Sequence, residues 1–486
     1  MTLTRTSTLP PEVWDHILGD LPQPQVPKLL EVCSMFHDIA LRSLFSSIKI
    51  YFIGGTLGMQ MLNTTHADWI DETAIKLMCK SWEMLNHICQ DRRFARVVKS
   101  ITVIAFADGQ SIFERLTVAN ALLFMPNLQT FRWIGTGPAF DDIVAECLPP
   151  NLKKLVIQSS LPFDSIRHLT DVTTLHLSMP FFFPDDEEAH DRLVYDPTIR
   201  ENLKYSIAEI VESIAPALQS LRVTATQLRD APIRMLNTLI DLEVFATIGD
   251  EEELVGLDVV FRHATLLQSL TLVGLFVPAT FSFLPHSSTG CLPLLNSFRL
   301  SCEDPSVFRF GEDEFQSLCG LLQGRPLLRR LYLRLPTMDW MQTSRLLCIV
   351  RELDGLEVLG FHTGRDMLAD DTIETLSRSL SKNLHALHIA INWAGVDLLP
   401  LLDTIAKLPH LSFLHLYGAI ARLPILLEDL AFEAEGLKTI GLNRALWTID
   451  RVGAEITSAK WPRWKIKFCV EEDFVSADDA WLFKYN

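Results

Sequence analysis

The chain has 486 residues, 48% of them hydrophobic and 21% charged, with a formal net charge of -17 and a pI of about 5.3. This is globular composition, and its acidic balance speaks against nucleic acid or an anionic membrane as a main partner. Nine scattered cysteines without a C-x-x-C pair, an opening MTLTRTSTLP without an apolar signal core, and no apolar run near the roughly 18 residues of a membrane helix point to a reduced, cytoplasmic or nuclear protein.

Residues 1–50 read as a small helical module. Pro10 and Pro11 stand just before a helix, where a missing amide donor is harmless. Val13, Ile17, Leu18 and Leu21 share one helical face, and Leu29, Leu30, Cys33, Phe36 and Ala40 another. Forty residues bury little apolar surface, so the module needs a partner or the rest of the chain to be stable. The string LPPEVWDHILGDL, a short link, and LLEVCSMFHDIALRSLF resemble an F-box. The matching positions are Leu9, Pro10, Glu12, Ile17, Leu18, Leu21, Leu29, Val32, Cys33 and Phe36, and Leu44, Phe45 and Ile48 resemble the continuation of fungal members. The resemblance implies that these residues bind a Skp-type adaptor, and through it a cullin, in an SCF-type ubiquitin ligase. The link departs from the pattern with Pro22, Pro24 and Pro27, which leaves the start of the second helix open.

Residues 51–96 read as a connector. Gly54, Gly55 and Gly58 suggest a loop, and a helix follows with Ile70, Ala74, Leu77, Met78, Leu85, Ile88 and Cys89 on one stripe. Its expected task is to cover the open end of what comes next.

From residue 97 to 468 one signature recurs: apolar, two residues, apolar, one residue, apolar. Clear copies are Leu128, Phe131, Trp133; Leu152, Leu155, Ile157; Val172, Leu175, Leu177; and Leu218, Leu221, Val223. The series continues from Leu239, Leu267, Leu295, Leu328, Leu356, Leu384, Leu411 and Leu437. Weaker copies stand at Val98, Ile101, Val103 and at Trp461, Trp464, Ile466. From Leu267 to Leu437 the copies start 26–33 residues apart, and a period of this size with this strand signature predicts a leucine-rich-repeat solenoid, an α/β fold with a curved parallel sheet inside and helices outside. Helices are expected over 313–323, 371–380 and 397–408. One interval, between Val172 and Leu218, is nearly two units long and holds the run from Phe181 to Glu188, as a degenerate repeat or an inserted, solvated loop. Asp250–Glu253 is expected to open a helix. Residues 469–486 read as an acidic tail.

Strand parity directs positions two, four and six of each signature away from the core. For the later units this gives Arg330, Tyr332, Arg334, His362, His388, Phe413, His415 and Tyr417 as an exposed partner-binding face. Aromatic and arginine side chains suit protein recognition, and the arginines suit an acidic or phosphorylated segment. The competing possibility is that a terminal segment folds over this face. His388 and His415 fall at equivalent positions on adjacent strands, but two ligands do not make a zinc site. No phosphate loop, nucleophile elbow or zinc-protease helix is present, so neither catalysis nor a cofactor is expected. Cys33, Cys319 and Cys348 lie on apolar stripes and are expected to be buried.

Overall fold

The computed structural model describes residues 10, 13–14, 17–18, 23–62, 67–108, 112–159, 161–177, 206–228, 231–246, 257–274, 291–302, 311–335, 338–367, 370–393, 397–418, 423, 425–453 and 455–484. Two compact units divide the chain: Met1–Tyr205 with Glu209–Ala217, and Ser206–Ala208 with Leu218–Asn486.

In the first unit, parallel strands pair in chain order: β1 (Ser47–Gly54), β2 (Ser100–Ala107), β3 (Thr130–Gly137), β4 (Lys154–Gln158) and β5 (Thr174–Leu177). The edge of β1 is closed by the helix Ala67–Gln90, which buries Ala74, Leu77, Leu85 and Ile88. Its Ser81 hydroxyl accepts the β1 amide of Tyr51 at 2.8 Å and donates to Leu77 O at 2.8 Å, so a buried edge donor is satisfied.

In the second unit, parallel strands again follow chain order: β6 (Ser220–Thr224), β7 (Asp241–Ala246), β8 (Ser269–Gly274), β9 (Ser297–Cys302), β10 (Arg330–Arg334), β11 (Val358–Met367), β12 (Ala386–Asn392), β13 (Phe413–Gly418) and β14 (Thr439–Leu442). The signature residues Leu242, Leu270, Phe298, Leu331, Leu359, Leu387, Leu414 and Ile440 stand in register across β7–β14, all fully buried. Helices return the chain between strands, among them Glu312–Leu322, Trp340–Arg351, Asp370–Ser379 and Leu399–Ile405. Asp339 caps the second of these, its carboxylate accepting the Gln342 amide at 2.8 Å. Strand, turn and helix repeated in this order make the leucine-rich-repeat fold, irregular where register shifts break the β2–β3 and β11–β12 ladders.

The structure corrects the reading at both ends. The sheet begins at Ser47, not at residue 97. Ile50, Phe52 and Ile53 are buried as a continuous apolar run, the pattern of a strand covered on both faces, which alternation does not reveal. The loop expected at Gly54, Gly55 and Gly58 is instead a helix, Gly55–Leu62, opened by Gly55 at φ +62° beside the Asp108 carboxylate, which accepts the Thr56 and Leu57 amides. At the far end the parallel stack gives way to an antiparallel hairpin, β15 (Ala445–Val452) and β16 (Glu455–Lys460). Trp461, Trp464 and Ile466 make no strand: Pro462 cannot donate to a ladder and instead starts the helix Arg463–Lys467. The runs 181–188 and 250–253 lie outside the described residues. Cys319 is buried, and burial pushes its thiol up to about 11. Cys33 and Cys348 are exposed, the first because it precedes its helix in extended backbone, the second because it lies on the outer side of Trp340–Arg351. Among the described residues, no helix is long and apolar enough to cross a membrane.

Candidate functional site

The first candidate is the N-terminal module. The prolines of the link produce a 3-10 helix, Gln23–Glu31, and the regular helix begins only at Ser34 and runs to Phe45. Leu29 and Val32 therefore precede that helix, and Cys33 is its N-cap residue rather than part of an apolar face. Leu18 is buried, while Leu29 and Phe36 are half-buried, Phe36 edge-on to Trp14 at 5.0 Å. Pro10, Ile17, Val32 and Cys33 are exposed, together with Val13. Leu9, Glu12 and Leu21 lie outside the described residues. The module is fixed to the first repeat: Asp38 pairs with Arg93, and Phe45 packs edge-on to Phe94 at 5.1 Å. It therefore presents unsatisfied apolar side chains on a rigid base.

The second candidate is the outward-parity face of the second unit. Position four forms a single cross-strand row: Arg222, Glu243, Thr271, Arg299, Tyr332, Gly360, His388, His415 and Gly441. Tyr332 and His388 stack at 5.7 Å across Gly360, whose missing Cβ makes the contact possible. His415 Nε2 donates to Asn443 O at 2.7 Å, which leaves its Nδ1 to accept from His388 Nδ1 at 2.9 Å. Burial pushes His415 down to about 4, and burial, His415, His362 and two arginines push His388 well below the usual imidazole range. Both rings are neutral.

This face is covered. The C-terminal helix Ala477–Phe483 lies on it, and Leu482 and Phe483 join Tyr332, Val358, Ala386, Phe413, Leu446 and Trp461 in one apolar cluster. The ring of Phe483 lies 5.4 Å from His415 and 6.4 Å from Phe413. Buried Arg299 donates to the carbonyls of Trp481 and Leu482, at 3.2 Å for the latter, and lies between the faces of Tyr332 and Trp481 at 4.0 and 4.7 Å. A cation there meets the negative end of the helix. At one end of the covering segment, Asp478 is held by Arg329 at 2.6 Å and Arg330 at 2.5 Å. At the other, Lys484 reaches Glu243 at 2.6 Å, which Arg222 also holds at 2.8 Å.

The expected exposed face is thus corrected in part. Tyr332, His388, Phe413 and His415 are buried under the chain's own end, because apolar and cationic groups on one side of a sheet demanded cover and residues 461–484 supply it. Arg330, Arg334, His362 and Tyr417 are half-buried. The acidic tail is a docked element. Strand parity also places Arg222, Glu243 and Arg299 on this face; sequence reasoning missed Arg329, though the apolar triplet Trp481-Leu482-Phe483 was a signal that this end would not remain in solvent. Glu357, His385 and Asp478 converge closely enough to suggest a metal. Arg329 bonds both carboxylates and Arg330 bonds Asp478, so this is an ion-pair network.

No protein-family model matches the chain, and no curated protein matches it. Among solved structures, it is similar to the complex of Rad7 and Elc1 in yeast (15% identity, 84% of this chain and 98% of that chain, TM-score 0.40). It is also similar to a TLR13–ssRNA13 complex (16% identity, 72% of this chain and 55% of that chain, TM-score 0.28). These likenesses are too slight to bear on what this chain binds.

Proposed function

We propose that this chain is a substrate receptor of an SCF-type cullin–RING ubiquitin ligase, with the N-terminal module docking a Skp-type adaptor and the repeats holding a protein. The observation that carries this reading is the F-box-like string, together with the exposure of Pro10, Val13, Ile17 and Val32 on a module fixed to the repeats. Such a receptor performs no chemistry. It raises the effective concentration of a substrate lysine near a charged ubiquitin carrier. The test is adaptor capture by the full chain with Ile17→Asp and Val32→Asp. Burial of two such side chains contributes about 3 kcal/mol, so capture should fall about 100-fold while thermal unfolding is unchanged. Unchanged capture would reject the adaptor contact.

The covered inner face favours a second reading, a scaffold that binds the adaptor without delivering substrates. Ubiquitination of proteins captured with the cullin-bound chain separates the two: the receptor reading expects it and the scaffold reading does not.

A further inference from the structure

The segment 461–484 is built like a ligand. It meets the inner face with an ordered set of groups: Asp478 between two guanidiniums, Trp481, Leu482 and Phe483 over the apolar cluster, and Lys484 on a buried carboxylate. A permanent cover needs only apolar surface, and replacing buried ion pairs by apolar groups is often neutral or stabilising. Here the helix Ala477–Phe483 carries Asp478 in its first turn and Lys484 just past its end, each matched by opposite charge beneath, which fixes direction and register. The fit also carries internal conflict. Asp479 is buried with one carboxylate oxygen lacking a hydrogen-bond partner, and His388 Nε2 beneath the segment is buried without one. A seven-residue helix docked over unsatisfied polar atoms belongs to the low-stability part of a fold.

We infer that the inner face of β7–β13 is a helical-peptide groove, that residues 461–484 occupy it as an exchangeable internal ligand, and that its partner is a short protein helix carrying the same order: aspartate, three residues later an aromatic-leucine-aromatic triplet, then lysine. Arg329 and Arg330 read the acid, Arg299 takes the carbonyls that end the helix, the apolar cluster around Tyr332 and Phe413 takes the apolar triplet, and Glu243 reads the lysine. Occupancy by the chain's own end then sets a threshold that a partner must exceed. This rests on the reading of the repeats as the protein-holding body, and is independent of the adaptor contact.

The test uses the purified full chain without adaptor and a fluorescent peptide of residues 470–486. In one variant, Asp478→Arg and Lys484→Glu place like charges at both ends of the internal ligand. The peptide should bind this variant at least tenfold more tightly than the unaltered chain, and a peptide carrying the same two substitutions should bind neither. A variant that keeps its circular dichroism and cooperative unfolding yet binds no peptide overturns the inference, as does equal binding of both peptides. Should that variant fail to fold, amide exchange in the unaltered chain decides. Amides 477–484 should exchange by local opening well before those of β10–β13, and added peptide should slow β10–β13 no further. Equal protection of the two sets overturns the inference. Either failure leaves adaptor capture by the N-terminal module untouched.

Discussion

Single atoms decide how the inner face is built. A Cβ on Gly360 would stand 2.0 Å from Tyr332 Cδ2, and that ring is held by His388 on one side and Arg299 on the other. Gly360→Ala should therefore destabilise the second unit by about 1–3 kcal/mol, measured by urea unfolding, although glycine-to-alanine in an ordinary strand is favourable. The histidine pair makes a pH prediction. Its folded pKa values lie below the ordinary 6.5, so the stability it contributes is present above that pH and is lost as the pH falls toward about 4. At pH 5 the loss from His415 alone is on the order of 2 kcal/mol. The melting temperature of the second unit should drop by several degrees between pH 7 and 5, and His415→Gln should flatten that slope. Slopes that are equal in the two proteins would show that the pair titrates freely.

The covering element behaves in the opposite sense. Burial raises the Asp479 carboxyl to about 6, above its unfolded value, so its contribution to docking is complete below the unfolded pKa and is lost as pH rises through about 6. Asp479→Asn should hold the C-terminal helix more firmly at pH 7.5, by on the order of 2 kcal/mol, with the gain gone by pH 4. Amide exchange at residues 477–484 measures it. At this scale the limits of sequence reading are also clearest. The strands and the helices near 312–322, 370–379 and 399–405 were legible because a period near 28 residues and an apolar stripe leave little choice of structure. β1 was not, because the alternation of Ser47–Ile50 is only four residues long and gives way to the continuous buried run Ile50–Ile53. Parity correctly sent Tyr332, His388 and His415 to the face opposite the repeat core. Nothing in parity says what lies on that face, and the polar contacts of its covering helix join positions 148 to 241 residues apart. Parity puts Glu243 on the inner face, but Lys484 looks like a solvated charge in the sequence. Only the fold brings them together.

In a chain with a formal net charge of -17, one face gathers Arg222, Arg299, Arg329, Arg330 and Arg334. Of the two arginines expected to meet an acidic partner, Arg330 meets Asp478 of the same chain, joined there by Arg329. Cationic clusters held within an acidic protein confer selectivity, since nonspecific polyanions are repelled before they reach the face. The N-terminal module shows a different logic, with exposed Val13, Ile17 and Val32 on helices too small to stand alone. The central claim is that this module, and not the repeats, engages a Skp-type adaptor. Hydrogen exchange of the full chain with and without the adaptor tests it most directly. Protection should rise between Pro10 and Phe36 and remain unchanged across β2–β16. Protection confined to the repeats, or none at all, would contradict the account.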